Sequence, residues 1–252
     1  MSTSAPVAAT PEGEPALSQV ERVIDTFVAP SKTFTDIRRN ASWWLPWLIG
    51  AIFGFALVYT VDKKVGMDKV AENQLRLSPK QAAKVEALPA DQREQQMELS
   101  AKITRSFSYS VPLLSLVFVA VMAGVLMATF KFGLGTEIPF QQCYAISMYA
   151  WLPGCIKALL VILTVSISGG ENFTFQNELA SNLGAFLDPT TSSHFLYSVA
   201  SSIDVFSIWI LALTGIGYSC VTRLKRGTCM GVVFGWWAVV TLVGAAVGSL
   251  FA

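Results

Sequence analysis

Charged side chains are scarce in this chain of 252 residues. Only 14% of the residues are Asp, Glu, Lys or Arg, whereas soluble domains carry about a quarter, and 53% are hydrophobic. From Ser106 to the C-terminus there are only ten charged residues, too few to cover a surface in water. The composition therefore excludes a soluble domain and predicts an integral membrane protein.

Sequence patterns of catalytic and metal sites are also missing. The chain has a single histidine and contains no HExxH, no GxSxG and no glycine-rich phosphate loop, so we expect it not to be an enzyme. Its four cysteines lie in or beside apolar segments without CxxC spacing, so we expect no metal, no cofactor and no disulfide framework. The net charge of +1 gives no sign of a nucleic-acid partner.

Long apolar runs, in contrast, are plentiful. A helix that crosses ~30 Å of hydrocarbon needs about 20 mostly apolar residues. Five segments reach or approach this length, at about residues 43–61, 107–130, 143–167, 195–221 and 229–252. We therefore predict an all-α, polytopic membrane protein built as a five-transmembrane-helix bundle.

Four regions outside these runs have a recognisable character. Residues 1–16 are typical of a disordered tail, and residues 17–42 of an amphipathic interfacial region that begins with a Ser18–Glu21 capping box. Residues 62–106 predict a helical extramembrane insertion after the first span. Within residues 168–193, apolar residues at roughly helical spacing predict an interfacial helix. These are Phe175, Leu179, Leu183 and Phe186.

Two blocks of sequence resemble the YIP1 family. They are "FVAPSKTFTDIRRNASWWLPWLI", Phe27–Ile49, and "LYSVASSIDVFSIWILALTGIGYSCVTRLKRGTCMGVVFGWW", Leu196–Trp237. The resemblance implies a Yip1-like membrane domain over residues 43–252 in a bacterial member of the family, with five spans, a cytoplasmic N-terminus and an external C-terminus. Counts of basic residues on the two sides are nearly equal, so this orientation, in the bacterial inner membrane, rests on the resemblance.

The resemblance implies a function only in outline. It suggests a non-enzymatic membrane-organising or trafficking adaptor that contacts proteins or membrane lipids, with a small GTPase as partner only by analogy with eukaryotic relatives. The family supplies no catalytic residues to transfer. Basic and tryptophan side chains predict where lipid or a partner would bind at the cytoplasmic face. They are Arg38, Arg39, Trp43, Trp44, Arg223, Lys225 and Arg226.

Two ionisable residues inside the apolar runs predict an intramembrane pair. Asp204 lies nine residues after Phe195, and Lys157 lies ten residues before Ile167, or roughly 13.5 Å and 15 Å from the same membrane face. We therefore expect these two side chains to be close enough to pair directly or through a hydroxyl or water. Tyr197, Ser201, Asp204 and Ser207 then form a polar stripe on one face of the fourth span.

The role of this pair stays open from sequence. It could fix the register of two spans, or it could belong to a small transporter or channel, which is the alternative function. Glycine pairs four residues apart, at 231 and 235 and at 244 and 248, leave a homo-oligomer open in the same way.

Overall fold

The computed structural model describes residues 15–189 and 191–251. The described chain is helical and contains no β-strand. Its α-helices are α1 Gln19–Val28, α2 Pro30–Asp36, α3 Trp44–Lys64, α4 Met67–Arg76, α5 Pro79–Glu86, α6 Ala90–Ala128, α7 Phe140–Ala150, α8 Pro153–Ser168, α9 His194–Ser202, α10 Val205–Thr222 and α11 Arg226–Phe251. A π-helical turn, Thr129–Gly133, extends α6, and a 3₁₀ helix covers Leu183–Phe186.

Five helical segments are long and apolar enough to cross a membrane. They are Trp44–Lys64, Ala90–Gly133, Phe140–Ser168, Val205–Thr222 and Arg226–Leu250. The five-span, all-α prediction is therefore confirmed. The tail predicted for residues 1–16 lies outside the described residues, apart from its last two positions.

The helices that precede the first span start where their local sequences place them. The Ser18 hydroxyl accepts from the Glu21 amide at 3.2 Å, and the Glu21 carboxylate accepts from the Ser18 amide at 2.7 Å. This confirms the capping box, which satisfies two amides at the start of α1. Pro30 opens α2, where a proline costs no helical hydrogen bond.

The described chain forms two compact units. The first comprises residues 15–47, 118–152 and 211–234. Its interior is aromatic, with Phe130 stacked on Tyr218 at 4.4 Å between ring centroids. Gly217 allows close packing there, since a Cβ added to it would lie 2.5 Å from Ile146 Cγ2 and 3.1 Å from Phe34 Cδ1.

The second unit comprises residues 48–117, 153–210 and 235–251. Buried apolar residues from α3, α4, α8 and the loop after α8 form its core. They are Leu57, Val61, Val70, Val161, Val165 and Phe173. Helices α4 and α5, with the first turns of α6, make the helical insertion predicted after the first span.

The loop between α8 and α9 does not contain the predicted interfacial helix. That prediction is wrong, because only Leu183–Phe186 forms a helical turn there. Instead, buried Asn73 of α4 holds the loop against α4 through two hydrogen bonds. Its Nδ2 donates to the carbonyl of Glu171 at 2.8 Å and to that of Phe173 at 3.0 Å. The apolar spacing that suggested a helix comes from side chains that pack on the core, such as Phe175 and Leu179.

Replacing Asn73 with alanine tests whether its hydrogen bonds hold the loop between α8 and α9. The change leaves two carbonyl groups without their donor, so we expect a loss of about 1–3 kcal/mol in the free energy of unfolding. Protease cleavage within residues 169–189 should become faster as the loop opens. Gln95→Ala, an exposed change on α6, is the control and should alter neither quantity. Unchanged melting and cleavage in Asn73→Ala would contradict the assignment.

Candidate functional site

A helix break places Asp204 at the start of α10. The predicted fourth span is interrupted, since α9 ends at Ser202 and α10 begins at Val205. Asp204 Oδ1 accepts from the amides of Phe206 at 2.8 Å and Ser207 at 3.3 Å, which is the geometry of an N-cap. The 18 residues of α10 span about 27 Å, so the helix is long enough to cross the hydrocarbon without α9.

The loop from α8 to α9 satisfies the backbone of this break. The Ser181 carbonyl accepts from the Val205 amide at 3.1 Å, and the Leu183 amide donates to the Ile203 carbonyl at 3.2 Å. The Ser181 hydroxyl donates to Asp204 Oδ2 at 2.5 Å. Since buried backbone groups without hydrogen-bond partners are costly, these contacts stabilise the break between the two helices.

Three charged side chains meet at this break. Lys157 Nζ of α8 lies 3.7 Å from Asp204 Oδ2 and 3.7 Å from Glu178 Oε2. The Asp204 side chain is 3% exposed, whereas those of Lys157 and Glu178 keep about a quarter of their surface. Lys157, Glu178, Ser181 and Asp204 are called the polar cluster below. It holds two carboxylates against one ammonium group.

Burial raises the pKa of Glu178, and the nearby Asp204 carboxylate raises it further, while Lys157 opposes both effects. Because the pKa of Glu178 is higher in the folded than in the unfolded protein, the folded protein binds the proton of this carboxyl at a higher pH. The contribution of Glu178 to stability is therefore fully present below its ordinary, unfolded-state pKa and is lost as the pH rises through the raised, folded-state pKa.

The other members of the predicted polar stripe have separate environments. Tyr197 is buried and its hydroxyl accepts from Asn177 Nδ2 at 3.3 Å. Ser207 contacts Asp204 through its amide. Ser201 Oγ is buried and has no hydrogen-bond partner among the described residues. The break between α9 and α10 therefore replaces the single continuous face that an unbroken helix would have given.

A second charged pair holds the helices that precede the first span. Arg22 of α1 is 1% exposed and donates from Nε and Nη2 to Asp36 Oδ2 at 2.7 and 2.6 Å. Its Nη1 donates to the Asn40 carbonyl at 2.8 Å. The carbonyl of Arg22 accepts from the hydroxyls of Thr26 and Thr33. This network fixes α1 against α2.

The network turns Arg22 and Thr26 of α1 inward and leaves three apolar side chains of the helix exposed. Val20 is 62% exposed, Ile24 55% and Val28 74%. These three residues, spaced four apart on one helical face, are called the α1 stripe. The sequence predicted an amphipathic segment over residues 17–42, but it did not predict the burial of Arg22.

The predicted lipid and partner residues all belong to the first unit. Arg39, Trp44, Arg223, Lys225 and Arg226 are exposed, whereas Arg38 and Trp43 are half-buried. Trp43 packs edge-on against Tyr144, with 5.1 Å between the ring centroids. Arg226 Nη2 donates to Ser31 Oγ at 3.3 Å, so the turn between α10 and α11 meets α2.

Sequence reasoning found Lys157 and Asp204 but missed Glu178 and Ser181. Both lie in the loop after α8, more than twenty residues from either partner, and no local spacing marks them. The sequence did contain one signal for the helix break itself. The Ser-rich stretch "SSID" before an apolar run is typical of a helix N-cap at Asp204.

Comparison with known proteins gives one match. The model of the Yip1 domain matches residues 24–248, which is most of the chain. No curated protein and no solved structure matches it.

Proposed function

The chain belongs to the YIP1 family of multi-pass membrane proteins, and from this membership we propose that it is a non-enzymatic membrane-organising or trafficking adaptor. Its working surface is the α1 stripe, where a protein partner docks. The basic turn Arg223–Arg226 beside α2 contacts anionic lipid head groups. A small GTPase is one candidate partner, by analogy with eukaryotic relatives. The N-terminus lies in the cytoplasm and the C-terminus outside, in a bacterial inner membrane.

The observation that carries this proposal is the orientation of α1. An amphipathic helix that packed only within its own chain would bury its apolar side, because burial of apolar surface drives packing. Here the buried side contains Arg22 and Thr26, and the α1 stripe is exposed. The Arg22–Asp36 network stabilises this orientation of α1.

Substitution of the α1 stripe tests the proposal. Tagged protein is extracted from its native host into nanodiscs, and the proteins that co-purify are measured by mass spectrometry. With the wild-type chain we expect one partner to be recovered at near-equal amount. With Val20→Gln, Ile24→Gln, Val28→Gln we expect at least tenfold less of it, a loss that corresponds to about 1.4 kcal/mol of binding free energy. The control is Leu99→Gln, which removes an exposed apolar side chain of α6. Equal recovery of partner with the triple variant would contradict the proposal.

A small transporter or channel is the second candidate, favoured by the polar cluster. Charged groups inside membrane proteins often mark ion or proton paths. In liposomes, an ion or proton flux that is lost in the Lys157→Met, Asp204→Asn double variant would support this candidate. The N-cap role of Asp204 favours an architectural function for the cluster and hence the adaptor.

A homo-oligomer remains a prediction. An added Cβ would meet nothing within 4 Å in the described chain at Gly231, Gly235 or Gly244, whereas at Gly248 it would lie 3.0 Å from His194 Cε1. The open glycines leave room for a close helix contact.

A further inference from the structure

A cavity of about 440 Å³ lies in the second unit, between α3, α6 and the loop that carries Glu178. Its walls are mainly apolar and include Leu57, Val58, Val111 and Phe175. Its polar lining consists of neutral side chains from α4 and α6, together with Glu178. Glu178 is therefore the single charged residue among the described residues that line this space.

The cavity lies where α6 passes from polar to apolar sequence. Its α6 wall runs from Ile103 to Pro112, and the apolar run of this helix begins at Phe107. Close by, Arg105 pairs with Asp62 at 2.8 Å near the end of α3, as charged side chains do at the level of lipid head groups. Phe107 is 62% exposed, so the rim is open to an apolar neighbour.

The charge of the polar cluster is not balanced. Asp204 has the Ser181 hydroxyl, two capping amides and Lys157 as partners. Glu178 has Lys157 at 3.7 Å, which is longer than an ordinary charged hydrogen bond. With all three groups ionised the cluster carries one excess negative charge, and Glu178 retains capacity to accept hydrogen bonds.

We propose that this cavity binds a membrane lipid whose head group ends in a primary ammonium, which donates to Glu178 while an acyl chain lies along the apolar wall. The ammonium balances the excess negative charge of the polar cluster. The cavity lies where α6 passes from polar to apolar sequence, so it can hold both the polar head group and the apolar chain of a lipid. This site lies in the second unit and does not depend on the α1 stripe.

Binding should depend on pH through Glu178. Lys157 faces this carboxyl from α8 and Asp204 faces it from the start of α10, whereas α3, α4 and α6 present neutral side chains to the cavity. The lipid ammonium needs the ionised carboxylate. Because burial raises the pKa of Glu178, lowering the pH through that raised value should release the lipid.

Lipid retention tests the proposal directly. The full chain is placed in nanodiscs of phosphatidylethanolamine, phosphatidylcholine and phosphatidylglycerol with identical acyl chains in equal amounts. Lipids that stay bound after mild extraction are counted by native mass spectrometry. We expect the wild-type protein to retain phosphatidylethanolamine about tenfold over phosphatidylcholine, and Glu178→Gln to lose this preference, since a charged hydrogen bond is removed. Glu171→Gln, in the same loop but outside the cavity lining, is the matched control.

A second pair of variants keeps the test decisive if Glu178→Gln does not fold. Thr104→Phe fills the cavity from α6, whereas Val117→Phe adds a similar ring to an exposed position of the same helix. Only the first should abolish retention. Equal retention of all three lipids by the wild-type protein, or a preference that survives in Glu178→Gln or Thr104→Phe, would overturn the proposal. Partner capture through the α1 stripe should be unchanged in these variants, so the two proposals can fail separately.

Discussion

Replacement of Asp204 with alanine is expected to lower the free energy of unfolding by about 3–5 kcal/mol, the usual cost of removing one member of a buried ion pair. The change removes the N-cap of α10, the acceptor of the Ser181 hydroxyl and the carboxylate beside Lys157. Asp204→Asn keeps a capping oxygen but removes the charge and the second oxygen, which accepts from the Ser181 hydroxyl. It should therefore retain about 1 kcal/mol more stability than the alanine variant.

A double variant separates the cap from the charge. In Lys157→Met, Asp204→Asn both charges of the pair are gone and the cap remains, while Glu178, whose pKa burial already raises, can bind a proton once Lys157 is absent. Most of the lost stability should therefore return, as with other buried pairs replaced together. Thermal and denaturant unfolding in nanodiscs compare these three variants and the single change Lys157→Met with the wild-type protein. If Asp204→Asn were as unstable as Asp204→Ala, the capping role would be refuted. If the double variant were no better than its single changes, the ion pair would not be the source of the loss.

Replacement of Arg22 with alanine is the second change with a large expected effect. It leaves the buried Asp36 carboxylate without its partner and frees the Asn40 carbonyl, so the expected loss is about 3–5 kcal/mol for the α1–α2 segment. Because α1 would be held to α2 only by weaker contacts such as that of the Thr33 hydroxyl, protease should cleave residues 19–40 much faster. The α1 stripe would lose its fixed geometry, and partner recovery should fall with it.

Two further variants identify the interaction. Arg22→Lys keeps the charge but lacks the planar fork that reaches Asp36 and Asn40 together, so it should recover only part of the stability. Arg22→Met with Asp36→Leu removes both charges and should protect α1 from protease nearly as well as the wild-type pair does. Rapid cleavage of the double variant, or slow cleavage of Arg22→Ala, would show that the pair does not hold the segment.

The membrane spans could be predicted because their signal is local. A run of about 20 apolar residues has few alternatives to a membrane helix, and five such runs gave the architecture. The capping box of α1 was equally predictable, since Ser18 and Glu21 lie three residues apart. Contacts between residues a few positions apart can be predicted from the local sequence.

The candidate site was only half predictable for the opposite reason. Counting residues from a common membrane face brought Lys157 and Asp204 to similar depths, although the count assumed an unbroken fourth span. Glu178 reaches the cluster from a loop whose course is set by tertiary contacts such as those of Asn73. The inward direction of Arg22 likewise depends on Asp36, fourteen residues away on another helix.

Site-specific photo-crosslinking at Ile24 in living cells of the native host tests the adaptor function most directly. The photoreactive residue occupies an exposed position of the α1 stripe, and the same residue at Val117, an exposed position in the apolar part of α6, provides the control. We expect a crosslink from position 24 to one protein of defined mass and only lipid adducts from position 117. Lipid adducts alone at both positions would contradict it, because the α1 stripe would then bind membrane and no partner.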